Sequence, residues 1–367
     1  MGCTQPLIRF KDGRITSLKK YLYCDGLAKR DGIIIDGISV TSNETELKNA
    51  IRLEEATLIP CGSCTGCKLA ASSSWANRME MELPYHEQAW FLTLTYNEET
   101  VPYRMTWDNL TGEVLTENLS LCYQDMQKFW KRLRRYLEYH NKATENLMYF
   151  QAGEYGGKTH RPHYHAIVYG LNIQKNELKT YKQKNGYTYY NCEWLEKIWG
   201  LGYVVLAPAE WRNMAYTARY TTKKIYGKEG KEYYSELGIE PERCMMSKNP
   251  AIGMQYYFEH KEEIYPKDSI QLKSGREVKP PRYFDKLFDL EHSKSKPLSE
   301  AESEDIENTI EKAESEELQA IKRERRRIAN DALFAKLRQT GLTMQEYYEL
   351  QNQKMQDKMK KLIREEV

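Results

Sequence analysis

Apolar positions along the chain recur with two different periods, and between residues 88 and 226 those periods alternate. Ala89–Tyr96 (AWFLTLTY) is dense in β-branched and aromatic residues and predicts a strand. Over Tyr123–Asn141 the period lengthens. There Met126, Phe129, Trp130, Leu133 and Leu137 fall at three- and four-residue steps, the pattern of an amphipathic helix. Leu147–Ala152 and His163–Tyr169 read as two more strands, separated by the turn-rich stretch Gly153–Pro162. Cys192–Trp199 suggests a short helix, Tyr203–Ala207 a strand and Asn213–Tyr226 a further helix. The order β-α-β-β-α-β is that of an α+β protein, a ferredoxin-like antiparallel sheet with helices on one face.

The flanks are patterned less strongly. Residues 1–60 show no firm period and contain strand-like pieces such as Gly32–Val40. Residues 61–85 hold a cysteine cluster, then a helix through Trp75, Met79 and Leu83. A helix is expected near Met254–Glu263 in the Gly- and Pro-punctuated stretch 227–290. From about Leu298 the composition shifts: Glu300–Glu317 carries nine acidic residues against one lysine, and the basic cluster Lys322–Arg327 follows. Such blocks are usually solvated helices or tails. Leu333, Leu337, Leu342, Tyr347, Leu350 and Met355 suggest more helices beyond them, packed on the body or on a partner. The expected division is an N-terminal segment 1–87, a central domain 88–290 and a charged helical region 291–367.

With 40% hydrophobic and 29% charged residues, the 367-residue chain reads as a soluble globular protein. No apolar run approaches a membrane span, and MGCTQPLIRFKDG lacks the long apolar core of a signal peptide. Pro6 stands where a myristoylation signal wants Ser or Thr. The expected location is the cytoplasm, with no membrane partner. A net charge of +2 gives no global basic footprint. Locally basic runs do occur at Lys128, Lys131, Arg132, Arg134 and Arg135, and at Arg219, Lys223, Lys224 and Lys228. The chain also holds 28 tyrosines, each a flat face for stacking a base and equally an ordinary core residue.

Three of the eight cysteines form Cys61-x2-Cys64-x2-Cys67. Neighbours so close rarely bridge without strain, and a reducing compartment disfavours disulfides. Zinc is the preferred reading, with Cys3 or Cys24 as the fourth ligand. An iron–sulfur cluster also fits the spacing, and three ordinary thiols are the plain alternative. Either metal would be structural here.

Three of the seven histidines lie in His160-Arg-Pro-His163-Tyr-His165. In a strand, His163 and His165 point to one face, half of a divalent-metal site, and Glu154 is placed to be the third ligand. Two strand histidines bonded to neighbours are the alternative. Further on, AYTARYTTKK puts Tyr216 and Tyr220 one helical turn apart, with Lys223 near the same face. A tyrosine is a poor nucleophile near neutrality unless a neighbour favours its phenolate, and a lysine can do so. A core aromatic stripe would look the same in isolation.

In that order, AWFLTLTY, RPHYHAIVYG and AYTARYTTKK resemble the three motifs of the HUH endonuclease superfamily in its two-tyrosine form. PCGSCTGC, GEYG, CMMSKNPAIG and PPRYFD extend the likeness, over roughly residues 55–285, to the replication initiation proteins of gokushoviruses in the Microviridae. The resemblance implies that His163, His165 and Glu154 hold Mg²⁺ or Mn²⁺, that Tyr216 and Tyr220 are nucleophiles, and that Lys223 assists them. The aromatic Tyr164 between the histidines departs from the usual aliphatic residue. The activity implied is nicking and rejoining of single-stranded or cruciform phage origin DNA in rolling-circle replication. The cut leaves a 5′-phosphotyrosyl link and a free 3′-hydroxyl. The chain has no P-loop motif, so host helicase and polymerase are the implied partners. A single-stranded-DNA-binding module without nuclease activity, or a plasmid or transposase enzyme of the same superfamily, are the competing readings.

Overall fold

The computed structural model describes residues 2–22, 38–108, 110–184, 186–219, 227–292 and 315–364. The chain divides into two units, one of residues 71–284 and one of residues 1–70 with 285–367.

The larger unit is built on one antiparallel sheet. Helix α1 (Thr65–Glu82) leads into strand β1 (Ala89–Tyr96). Helix α2 (Tyr123–Tyr139), strands β2 (Met148–Tyr155) and β3 (Pro162–Tyr169), and the hairpin of β4 (Leu178–Lys184) and β5 (Tyr187–Cys192) follow. Helix α3 (Glu193–Trp199), strand β6 (Gly202–Pro208), helix α4 (Trp211–Arg219) and the short strand β7 (Cys244–Met246) complete it. The sheet order is β7-β2-β3-β1-β6-β5-β4, antiparallel throughout. Its middle four strands, β2-β3-β1-β6, with α2 and α3 as crossovers, have the ferredoxin-like order.

Both faces of the middle strands are covered, so β1 and β3 carry apolar residues on both faces, broken on one face by Thr93, Thr95, His163 and His165. Leu92, Leu94, Tyr96, Tyr164, Ala166, Val168, Val204 and Leu206 pack against α2 and α3. Helix α2 buries Tyr123, Met126, Phe129, Trp130, Leu133 and Leu137 there. Such side chains each contribute about 1.5–3 kcal/mol on burial, which makes this stripe the main anchor of the fold. Tyr164 belongs to this layer, fully buried, with its hydroxyl accepting the Cys122 N–H at 2.7 Å. The aromatic residue between the two histidines is therefore a core residue of the opposite face. On the histidine face, Phe91, Phe150, Ile167, Tyr169 and Ala207 pack with Ala76 and Met79 of α1 and Met214 and Ala218 of α4. Gly202 starts β6 at φ +150°, where a Cβ would meet the Thr95 carbonyl at 2.3 Å, so the close return to the sheet requires glycine.

In the second unit, strands Leu7–Phe10, Ile15–Ser17 and Ala56–Ile59 form a small antiparallel sheet. Ile8, Leu18, Leu47, Ile51 and Ala56 share a core with Leu333, Phe334, Leu337 and Met344. The C-terminal helices Glu316–Thr340 and Met344–Arg364 thus pack on the N-terminal segment. Ser315 caps the first of them, and Arg325 grips Asp285 through both guanidinium nitrogens at 2.6 and 3.1 Å. The strand-like piece Gly32–Val40 needs correcting: residues 32–37 lie outside the described residues, and Ile38 opens the helix Ile38–Arg52. Burial of Leu47 and Ile51 on one side of that helix overrides the β-branched start. The acidic block 300–314 also lies outside the described residues.

Candidate functional site

Strand pairing assembles the histidine site. Register sets His163 opposite Glu154 of β2 and Thr95 of β1, and His165 opposite Ala152 and Thr93. Strand β2 runs on to Tyr155, so Glu154 is a strand residue facing His163 and not part of a loop. His163 Nε2 lies 3.1 Å from Glu154 Oε2, and His165 Nε2 lies 3.3 Å from the same oxygen. Glu154 and His165 are buried and His163 is half-buried.

The far side of each ring is held as well. His163 Nδ1 is 3.1 Å from the Arg161 carbonyl, which can only accept, so in the neutral ring Nδ1 carries the hydrogen and Nε2 offers a lone pair. His165 Nδ1 is 3.1 Å from the Thr93 hydroxyl, and the ring stacks on Phe91 with centroids 5.4 Å apart and planes 12° apart. One ligand atom from each of Glu154, His163 and His165 lies within 4.8 Å of the others. With the hydrogen of each neutral ring on Nδ1, which the Arg161 carbonyl requires of His163 and the Thr93 hydroxyl permits for His165, two lone-pair nitrogens and a carboxylate oxygen meet at one point, a donor set that fits a divalent cation.

Helix α4 brings a tyrosine to this cluster. Asn213 holds the helix start, accepting the Glu210 N–H at 2.7 Å and donating to the Pro208 carbonyl at 2.9 Å. Ser72 of α1 donates to the Ala215 carbonyl at 3.2 Å, and Trp211 donates to Asn77 at 3.0 Å. Pinned so, the helix sets the Tyr216 ring edge-on to His165, with centroids 5.2 Å apart, and edge-on to Phe91 at 6.2 Å. The Arg219 guanidinium lies 5.4 Å from the Tyr216 ring centre, a cation–π contact. Tyr220 and Lys223 lie outside the described residues. Phe91, Thr93 and Arg219 escape the sequence reading as site residues. Phe91 and Thr93 carried a signal, since the strand alternation of AWFLTLTY puts Phe91, Thr93 and Thr95 on one face.

The cysteines form a separate cluster in the smaller unit. Strand Leu7–Phe10 pairs antiparallel with Ala56–Ile59, Leu7 opposite Ile59, which carries Cys3 back to Cys61. Cys3 Sγ lies 3.6 Å from Cys61 Sγ and 3.7 Å from Cys64 Sγ. The four sulfurs of Cys3, Cys61, Cys64 and Cys67 are all within 4.8 Å of one another. Backbone N–H groups aim at three of them: Cys61 at Cys3 (3.4 Å), Cys64 at Cys61 (3.3 Å), and Thr4 and Cys67 at Cys64 (3.4 Å each). Burial works to raise the Cys64 thiol, but the bonds from Thr4, Cys67 and Cys61 bring it down to about 6. Four sulfurs gathered within 4.8 Å, three of them accepting backbone N–H groups, suit a closed tetrahedral metal site. Cys24, the other candidate fourth ligand, lies outside the described residues.

A family model described as replication-associated protein ORF2/G2P matches residues 89–225, the span of β1 through the tyrosine helix. The replication-associated protein ORF2 of Spiroplasma virus 4 is 34% identical over 240 residues, 64% of this chain and 68% of that protein. Replication-associated protein ORF4 of Chlamydia phage 1 is 30% identical over 235 residues, 63% of this chain and 53% of that protein. Replication-associated protein VP4 of Bdellovibrio phage phiMH2K is 27% identical over 288 residues, 73% of this chain and 83% of that protein. No solved structure matches the chain. The chain belongs to this family of phage replication-associated proteins, in agreement with its resemblance to gokushovirus replication initiators. No helix among the described residues is long and apolar enough to cross a membrane.

Proposed function

We propose that the protein initiates rolling-circle replication by nicking and rejoining phage origin DNA through metal-dependent tyrosine transesterification. The observation that carries the reading is the meeting of both histidine Nε2 atoms on Glu154 Oε2, with the Tyr216 ring 5.2 Å from that of His165. Glu154, His163 and His165 would hold Mg²⁺ or Mn²⁺, which supplies charge neutralisation at the scissile phosphate. The Arg161 carbonyl, Thr93 and Phe91 keep the two imidazoles turned toward that point. Arg219, against the Tyr216 ring, places a cation beside the attacking residue. The Tyr216 oxygen attacks phosphorus, the bond from phosphorus to the 3′-oxygen breaks, and that oxygen takes up a proton and leaves as a 3′-hydroxyl. The phosphodiester energy is kept in the 5′-phosphotyrosyl bond, so rejoining needs no nucleotide cofactor.

Tyr220 is the second nucleophile in this scheme and Lys223 its cationic neighbour, both on the strength of the sequence motif. The free 3′-hydroxyl serves a host polymerase, and a host helicase supplies the unwinding. The cysteine set is a structural zinc site closed by Cys3. The deciding experiment incubates purified protein with the circular genome and Mn²⁺ and looks for covalent protein–DNA adducts. Wild type forms them, single Tyr216→Phe and Tyr220→Phe variants retain some single-round nicking, and the double variant forms none. Adducts in the double variant would move the nucleophile elsewhere, and no adduct in wild type would leave a DNA-binding module without nuclease activity.

A further inference from the structure

Beyond β6 the sheet continues through β5 and β4, and on the histidine face this extension is made of tyrosine and lysine. Pairing decides the faces. Tyr190 pairs with Leu206, which lies in the α2 layer, and Tyr190 itself packs against that core. Its neighbour Tyr189 packs against the opposite cluster, which contains Phe91 and Met214. Lys182 pairs with Tyr189 and Lys184 with Tyr187, and directly opposed residues share a face. Lys182 Nζ lies 5.3 Å from the ring centres of both Tyr189 and Tyr181, and Tyr181 is 56% exposed. From the helix side, Arg212 of α4 reaches over Tyr187 at 6.0 Å, one turn before Tyr216. Tyr203 of β6, 60% exposed, stands in one cross-sheet row with Thr95, His163 and Glu154.

The hairpin rings and cations, with Arg212 reaching over Tyr187, thus form a patch at the sheet edge, while Tyr203 stands apart from it, further along β6 in the row of His163. Lys179 is excluded from it, because Glu193 takes its ammonium at 3.4 Å. Glu210 hydrogen-bonds the Tyr187 hydroxyl and is the acid that faces it. Half-buried tyrosine rings, held at the sheet edge beside cations of one sign, complement a flexible polyanion that offers bases to stack. They match a duplex poorly, since its bases are already stacked.

We propose that this patch is a binding path for single-stranded DNA, with Tyr189 and Tyr187 stacking bases and Lys182, Lys184 and Arg212 contacting phosphates. That the path feeds a nicking site rests on the functional reading above; that it binds single strands does not. The test measures anisotropy of a labelled oligothymidylate without added divalent metal, across a salt series. Tyr189→Ala weakens binding about tenfold, the loss of one stacked base, and Tyr189→Phe restores it. The double change Lys182→Gln with Lys184→Gln touches exposed side chains only. It reduces the slope of log affinity against log salt by about 1.4, or 0.7 per lost phosphate contact. Unchanged slope and affinity in these variants, or tighter binding of a duplex than of the single strand, overturns the path. The covalent-adduct assay on wild type keeps the two ideas apart. Adducts with unaltered binding in the variants remove the path alone, and altered binding with no adduct removes the nickase and keeps the path.

Discussion

Thr93→Val is the sharpest probe of how the histidine pair is set. Valine keeps the branched shape of threonine and deletes the hydroxyl that lies 3.1 Å from His165 Nδ1. In the tautomer that metal binding needs, the Thr93 hydroxyl accepts the Nδ1 hydrogen and Nε2 keeps its lone pair toward Glu154. Without it, the ring proton has reason to move to Nε2, where the Glu154 oxygen waits at 3.3 Å. That tautomer cannot ligate a metal through Nε2. Loss of such a supporting contact typically weakens metal affinity 10- to 100-fold, about 1.4–2.8 kcal/mol. The lower end applies here, because stacking on Phe91 at 12° still restrains the ring's tilt and leaves only the tautomer to change. The expectation is about tenfold weaker Mn²⁺ binding, read by calorimetry or Mn²⁺ paramagnetic resonance on resting protein, with recovery in Thr93→Ser. Nicking returns at saturating Mn²⁺, since the nucleophile is untouched. Wild-type Mn²⁺ affinity in Thr93→Val, or no recovery in Thr93→Ser, refutes the reasoning.

Further outcomes follow from the two clusters and from one buried histidine. His163→Ala or His165→Ala abolishes nicking with the circular dichroism spectrum unchanged, whereas Glu154→Ala weakens Mn²⁺ affinity without ending activity; metal-dependent cleavage near wild-type level in both histidine variants would exclude them as ligands. Purified protein contains about one zinc per chain, lost on changing Cys61, Cys64 and Cys67 to Ser and weakened by Cys3→Ser alone; elemental analysis finding neither zinc nor iron in active protein rules this out. His86 is buried between Glu82 (3.0 Å) and Glu145 (2.8 Å); burial by itself lowers its pKa, but hydrogen bonds to the two carboxylates raise it above the ordinary value. Because the folded pKa exceeds the unfolded value of about 6.5, this stabilisation is complete below that pH and lost as pH rises through the folded pKa. Urea midpoints should therefore fall on going from pH 6 upward, and His86→Gln should flatten that fall; an equal fall in the variant excludes His86 as its source.

Much of the central sheet is legible in the sequence because the information is local. The strand period places His163 and His165 on one face, and the helical period of Met126, Phe129, Trp130, Leu133 and Leu137 names the core stripe that α2 buries. What stays hidden is pairing. The stretch from Gly153 onward reads as a turn because glycine and glutamate are poor strand formers. The strand nevertheless runs on to Tyr155, and Gly153 is there for a packing reason: a Cβ would come 2.7 Å from the Tyr123 hydroxyl. Only that continuation puts Glu154 opposite His163. The β4–β5 hairpin is hidden for another reason. Its outer strand LKTYKQK carries lysine where a half-buried strand carries aliphatic residues, so hydrophobicity misses it, although Asn185-Gly186 between two alternating runs is a hairpin signal. Cys3 is the clearest case. Fifty-eight residues separate it from Cys61, and no spacing rule joins them. The pairing of Leu7 with Ile59 does, and it places the first sulfur beside the other three before any metal is called on to hold them. A zinc ion there would reinforce a closure that the small sheet already makes, so loss of metal should loosen the smaller unit's N-terminal strands before it disturbs the histidine site.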